Sequence, residues 1–133
     1  MTVFALDSNI VSYFLRNDKK IKERIVQEIN DGNEIVIPPI VYFEVKRGLL
    51  AINAPQKSAA FEMLCDNLEI GIIEKNMLDI AAQQYAELRK KGKTADDADL
   101  LIAAYCICNN FTLVTNNIKH FDCITGLDVV NWM

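Results

Sequence analysis

Apolar residues in this chain come in short runs whose period changes along the sequence. Residues 2–6 read as a strand, and the polar Asp7-Ser8-Asn9 that follows reads as a turn. Residues 11–15 and 20–29 have helical character, with Ile21, Ile25 and Ile29 recurring every fourth position on one face. Asp31-Gly32-Asn33 breaks the chain, and the β-branched run 34–37 is halted by Pro38-Pro39. Helices are predicted over 40–50 and 56–67, a third short strand over 70–73, and a strongly periodic helix over 76–91 that ends at Gly92. A very apolar helix over 96–109 leads into a strand at 111–115 that runs straight into Asn116-Asn117, and a last strand is predicted over 128–132. Strands alternating with helices predict an α/β fold with three α/β/α layers around a mostly parallel sheet. No repeat, low-complexity tract or linker divides the 133 residues, so 1–133 is expected to form a single domain.

Composition sharpens this picture. Hydrophobic residues make up 51% of the chain, enough for a packed core, yet no stretch approaches the roughly 18–20 apolar residues of a membrane helix. The opening residues lack a basic segment and meet a carboxylate at Asp7, which is not the pattern of a secretory signal. Cys65, Cys106, Cys108 and Cys123 show no C-x-x-C spacing, and His120 alone could complete a zinc set. They read as buried thiols in a reducing cytoplasm, and a structural zinc is not expected. The net charge of −4 argues against nucleic-acid binding if taken alone, although acids gathered around a divalent ion would distort that measure. Basic residues do cluster, at Arg16, Lys19, Lys20, Lys22 and Arg24 and again at Arg89, Lys90, Lys91 and Lys93. These are either solvated helix ends or phosphate contacts.

Ligands of an open parallel sheet sit beyond the carboxyl ends of its strands. Asp7 ends the first strand, Asn116-Asn117 end the fourth, Asp99 lies in the first turn of the helix leading to it, and Glu44 lies early in the helix after the second. Each has a plain structural reading. Asp7 could be a helix N-cap, Asp99 a first-turn acid placed three residues after an Asp96 cap, and Glu44 an ordinary surface acid. What these readings leave unexplained is that all three are flanked by apolar sequence. Carboxylates held together at the edge of a core repel one another unless a cation lies between them. Oxygen ligands without Cys or His suit Mg²⁺ or Mn²⁺, and such an ion can activate water and neutralise charge developing on a phosphodiester.

Other chemistries fail on inventory. A single histidine excludes a two-histidine ribonuclease, no nucleophile-elbow glycines flank a serine, and no Gly-rich phosphate loop is present. An aspartyl phosphatase would want a second Asp where Asn9 stands, and a receiver domain would want an acidic pair at the first strand. Metal-assisted phosphodiester hydrolysis survives. Two rivals stay open: a non-catalytic module whose acidic groove docks a partner protein, and a small-molecule phosphatase on a similar sheet.

Leu6-Asp7-Ser8-Asn9, Tyr42-Phe43-Glu44-Val45-Lys46-Arg47-Gly48-Leu49, Asp97-Ala98-Asp99-Leu100-Leu101-Ile102-Ala103-Ala104 and Leu113-Val114-Thr115-Asn116-Asn117 with Phe121 stand in this order. Together with Gly126-Leu127 and Asn131-Trp132, they resemble the successive motifs of a VapC-type PIN domain from residue 3 to 132. The resemblance implies that Asp7, Glu44 and Asp99 hold the metal. Asn117 falls where many PIN nucleases carry a fourth acid, and with Thr115 it is a candidate for positioning water or phosphate. His120 replaces an acid that some relatives carry, and Asp97, Thr115 and Asn9 are auxiliary candidates. Also implied are endoribonuclease activity on structured RNA (tRNA or ribosomal RNA), a homodimer, and silencing by a small VapB-like antitoxin whose C-terminal segment occupies the groove.

Overall fold

The apolar run at the start of the chain becomes β1 (Val3–Leu6), of which three residues are fully buried. A strand covered on both faces shows no alternation, as the middle of a parallel sheet requires. In the computed structural model, which describes residues 1–133, there follow α1 (Ser8–Leu15), α2 (Lys19–Asn30), β2 (Glu34–Ile37), α3 (Pro39–Ala51), α4 (Pro55–Asn67) and β3 (Glu69–Ile70). Then come α5 (Lys75–Lys90), α6 (Asp97–Asn109), β4 (Thr112–Val114), a 3₁₀ turn (Ile118–His120) and β5 (Asp128–Val130). The strands lie in the order β3-β2-β1-β4-β5, and every neighbouring pair is parallel. The chain steps outward from β1 to β3, then returns past β1 to add β4 and β5. Strand order therefore reverses between β1 and β4, and the crevice there is where open α/β sheets bind ligands. Right-handed crossovers put α1–α4 on one face and α5 with α6 on the other. Helix packing agrees, since α1 rests on α2, α3 and α4, and α5 on α6.

The structure departs from the sequence expectations at four places. Ser8 and Asn9 are not a turn but the first residues of α1, because Asp7 Oδ1 accepts the Ser8 N–H at 2.8 Å and starts the helix directly at the strand end. In α2, Ile21 and Ile25 are buried but Ile29 is 47% exposed, and Glu28 takes its place. Each four-residue step overshoots a full turn by about 40°, so the second step at that spacing leaves the face that residue +7 keeps. Glu28 is tolerated there because it bridges Arg24 at 3.5 Å and Asn33 at 3.3 Å.

Strand β3 is Glu69–Ile70 rather than 70–73, with Ile72 and Ile73 exposed beyond it. The Gly71 N–H still reaches Ile37 O at 2.8 Å, and there the chain leaves the sheet. Strand β5 ends at Val130, and the buried Trp132 packs edge-on against Phe4 at 5.2 Å between ring centroids.

Gly71 is required by its neighbour. A Cβ at this position would overlap ring carbons and the hydroxyl of Tyr105, a buried side chain of α6. Gly71→Ala is therefore expected to cost about 1–3 kcal/mol by overpacking. A urea melt of the variant checks this, and an unchanged midpoint would show that Tyr105 has room to move.

Candidate active site at the carboxyl ends of β1 and β4

Asp7 and Thr115 stand on either side of the crevice where strand order reverses, and they are bonded across it. Thr115 Oγ1 donates to Asp7 Oδ2 at 2.8 Å, and both residues are buried. Asn9, the second residue of α1, donates from Nδ2 to Asp7 Oδ2 at 3.2 Å and to Thr115 Oγ1 at 3.1 Å. Its Oδ1 accepts the Asn116 N–H at 3.1 Å, and the Asn117 N–H donates to Thr115 Oγ1 at 3.0 Å. Asn116 Nδ2 in turn donates to the Tyr13 hydroxyl at 2.8 Å. Asp7 is thus both a helix cap and the centre of a polar network, and the two readings of it are compatible. Three of the roughly four lone-pair positions of its carboxylate are occupied by Ser8, Asn9 and Thr115, which leaves about one free.

Two more carboxylates face this centre. Pro39 at the first position of α3 presets the helix, and Val41, Val45 and Leu49 bury one face of it. Glu44 projects beside that face, where α3 meets α6. Burial raises the Glu44 carboxyl above its usual range; the charge of Asp7 and, less strongly, Asp99 adds to this, while Arg47 opposes it. Asp99, in the first turn of α6, is likewise raised, first by burial, against His120, and then by Asp7 and Asp96. His120 Nδ1 lies 3.5 Å from Asp99 Oδ2. The charge of Asp7 raises both Glu44 and Asp99, as it would for carboxylates that share one rim.

The donor set fits a hard divalent cation. Glu44 Oε1 is buried with no hydrogen-bond partner, and leaving such an atom unmatched costs about 1–3 kcal/mol or more for a charged group. Asp7 keeps about one lone pair free, and all three carboxylates offer oxygen. No three acidic, histidine or cysteine side chains close around a point by themselves. Mg²⁺ and Mn²⁺ keep several waters and take only one or two protein carboxylates directly, so an open set of carboxylates can hold them.

Other candidates fall in different places. Thr115 and Asn9 join the centre by hydrogen bonds. Asp97 is exposed and lines a groove between α5 and α6 with Ala81, Ala82 and Tyr85, away from Asp99. Asp96 instead shares with Asp99, Lys119 and His120 a cavity of about 350 Å³. It stands at the N-cap position of α6 without its side chain capping the helix, so the expected cap bond is not made. Asn117 is exposed, does not cap the 3₁₀ turn with its side chain, and lines a separate cavity beyond that turn. Sequence reasoning passed over Tyr13, named Asn116 only as part of the strand end and read Asp96 as a helix cap. For Asp96 a signal existed: residues three apart share a helix face, whereas Asp97 and Asp99, two apart, do not.

A sequence model of the PIN domain matches residues 4–124, and the chain belongs to the PIN-domain family. Among its relatives, ribonuclease VapC2 of Rickettsia felis is 33% identical over 137 residues, covering 98% of both chains. The tRNA(fMet)-specific endonuclease VapC of Salmonella typhimurium is 28% identical over 134 residues, covering 99% of both. The structure of VapBC2 from Rickettsia felis, bound to a DNA fragment from its promoter, superposes with a TM-score of 0.92 at 29% identity over 99% of this chain and 100% of that one. Within the family the chain is therefore of the VapC type.

The raised carboxyl of Glu44 has a measurable consequence. A carboxyl whose folded pKa lies above its unfolded value destabilises the fold when ionised. The penalty is absent below the usual value near 4.5, grows as pH rises through the raised value, and is complete above it. In chelator, Glu44→Gln is expected to melt a few degrees above the parent at pH 7–8 and to lose that advantage near pH 4. Parallel melting curves across this window would show that Glu44 is not held against its charge.

Proposed function

We propose that this VapC-type nuclease is a Mg²⁺- or Mn²⁺-dependent endoribonuclease toxin that hydrolyses phosphodiester bonds in structured RNA, of the tRNA or ribosomal RNA class. The observation that carries the reading is the unpartnered, buried Glu44 Oε1 facing Asp7 and Asp99 at the sheet's switch point. Asp7, Glu44 and Asp99 would hold the ion, which when bound supplies a Lewis acid for the phosphodiester and lowers the pKa of attacking water. The chain's own residues set the geometry. Thr115 and Asn9 fix the Asp7 carboxylate, and the backbone of Asn116 and Asn117 is tied to the same two side chains. His120, beside Asp99, sits where it can meet a phosphate oxygen at the rim.

A small VapB-like antitoxin is the proposed inhibitor, since an acidic rim accepts an inserted Arg or Lys as readily as an ion. Neighbours of known structure are complexes such as VapBC from Salmonella typhimurium bound to DNA. A homodimer in the cytoplasm completes the reading. Four unpaired cysteines suit that reducing compartment, and the exposed Phe43, Leu50, Ile52 and Met63 on and beside the paired helices α3 and α4 suit protein contacts.

Purified protein should cut tRNA or ribosomal RNA in Mg²⁺ or Mn²⁺, stop in EDTA, and leave a chromogenic phosphate monoester intact. Hydrolysis of the ester alone would favour a phosphatase. Binding of a partner without any hydrolysis would favour a docking module.

A further inference from the structure

The 3₁₀ turn Ile118–His120 separates two cavities that share Lys119 and His120 but differ in their acids. On one side lie Asp96 and Asp99, in the cavity of about 350 Å³ already described. On the other is a cavity of about 400 Å³ lined by Asn116, Asn117, Ile118, Lys119, His120 and Asn131, at the carboxyl ends of β4 and β5. It holds three amides, an ammonium and an imidazole, and no carboxylate. In a chain of net charge −4, an acid-free cavity next to the acidic rim is where an RNA strand can continue without repulsion, since its backbone needs cationic contacts.

The amides are not all free. Asn116 spends its Nδ2 on the Tyr13 hydroxyl at 2.8 Å and is scaffold. Asn131 Oδ1 accepts the Met133 N–H at 2.9 Å, which aligns the amide and leaves its Nδ2 to donate. Asn117 is placed by its own N–H, bonded at 3.0 Å to the Thr115 hydroxyl that also holds Asp7. One residue thus fixes both the catalytic carboxylate and the wall of the second cavity. An amide offers a donor and an acceptor side by side, which is the pattern that reads a base edge. Lys119 and His120 offer a phosphate contact and a flat ring, and RNA sequence is read mainly on unstacked nucleotides by such contacts.

We propose that this acid-free cavity is a subsite for one unpaired RNA nucleotide adjacent to the scissile phosphate, with Lys119 on its phosphate and Asn117 and Asn131 on its base edge. The proposal rests on the ribonuclease reading and adds to it the source of base preference.

The test is fluorescence anisotropy with 5′-fluorescein-labelled single-stranded oligo(A), oligo(C) and oligo(U), using Glu44→Gln protein so that the probe stays uncut. Lys119→Ala in that background should weaken all three probes alike and reduce the salt dependence by about one counterion. Asn131→Ala should weaken the preferred probe by roughly 5- to 150-fold and the others far less, flattening the ranking. A thermal melt of each variant accompanies the titration, and Asn131→Ser replaces any variant that fails to fold. The subsite is overturned if the background protein shows no base preference, or if both variants keep its affinities and ranking. Cleavage of total RNA by the unsubstituted protein is measured in parallel. Cleavage with unaltered binding in the variants overturns the subsite alone. Base-selective binding lost in the variants, with no cleavage by the unsubstituted protein, supports the subsite and overturns the nuclease reading.

Discussion

Asp99→Asn is expected to lower RNA cleavage by at least about 10²-fold and to abolish any growth arrest the protein causes, while leaving it folded. The carboxylate contributes charge to the rim, and an amide of the same shape does not. Asp99 also sits where burial and the charges of Asp7 and Asp96 disfavour its ionised form. Removing that charge should raise the melting temperature of the metal-free protein, by about 3–5 °C for each kcal/mol relieved in a chain of this size. Lost activity with a higher melting temperature is the signature of a binding site maintained against stability. Undiminished cleavage in the variant would remove Asp99 from the site, and lost activity with a lower melting temperature would make it a structural acid of α6.

Thr115→Val should be the most damaging substitution outside the three carboxylates. The side chains have nearly the same shape, so the β4 end keeps its packing, but the hydroxyl makes three hydrogen bonds at once. It donates to Asp7 and accepts from the side chain of Asn9 and the N–H of Asn117, while the residue's own N–H remains on Val130 O. Without it, buried Asp7 Oδ2 keeps only the longer bond from Asn9, and the Asn117 N–H loses its acceptor. We expect a loss of about 1–3 kcal/mol in stability and a 10- to 100-fold loss in cleavage or in metal affinity, the range found when a group that orients a ligand is removed. Thr115→Ser, which restores the hydroxyl, should recover most of both. Urea melts and initial rates at several Mg²⁺ concentrations measure the two effects. Parental rates in the valine variant would mean that Asp7 needs no help from β4.

How far a residue's partners lie along the chain decided what its sequence could reveal. What could be read was local or periodic: the alternation of strands and helices, Asp7 at the end of an apolar run, and Asp99 in a first turn. Glu44 was legible only because its neighbours are apolar. What escaped was set by contacts across the chain. No local pattern tells that the Tyr13 hydroxyl meets Asn116 across 103 positions, or that Gly71 exists to admit the Tyr105 ring. The choice of Asp97 over Asp96 as an auxiliary is a different failure, because the helical period already set Asp97 on another face of α6. Asn117 was placed by analogy with a fourth acid, and the 3₁₀ turn carries it to a cavity separate from that of Asp99.

Cys106 lies in α6 with no exposed surface, and burial together with the nearby charge of Asp7 pushes its thiol well above the usual range. Cys108 and Cys123 are only half-buried. A thiol reagent therefore finds two kinds of target: accessible sulfurs that react in the native protein, and the buried Cys65 and Cys106, of which Cys106 becomes a nucleophile only after α6 lifts from the sheet. Slow alkylation at Cys106 is then a clock for the opening of the core beneath the carboxylates, at protein concentrations and in buffers where a melt cannot be run. A cation seated on Asp7, Glu44 and Asp99 would tie α6 to β1 and α3 from above, and the clock should slow in proportion to its occupancy.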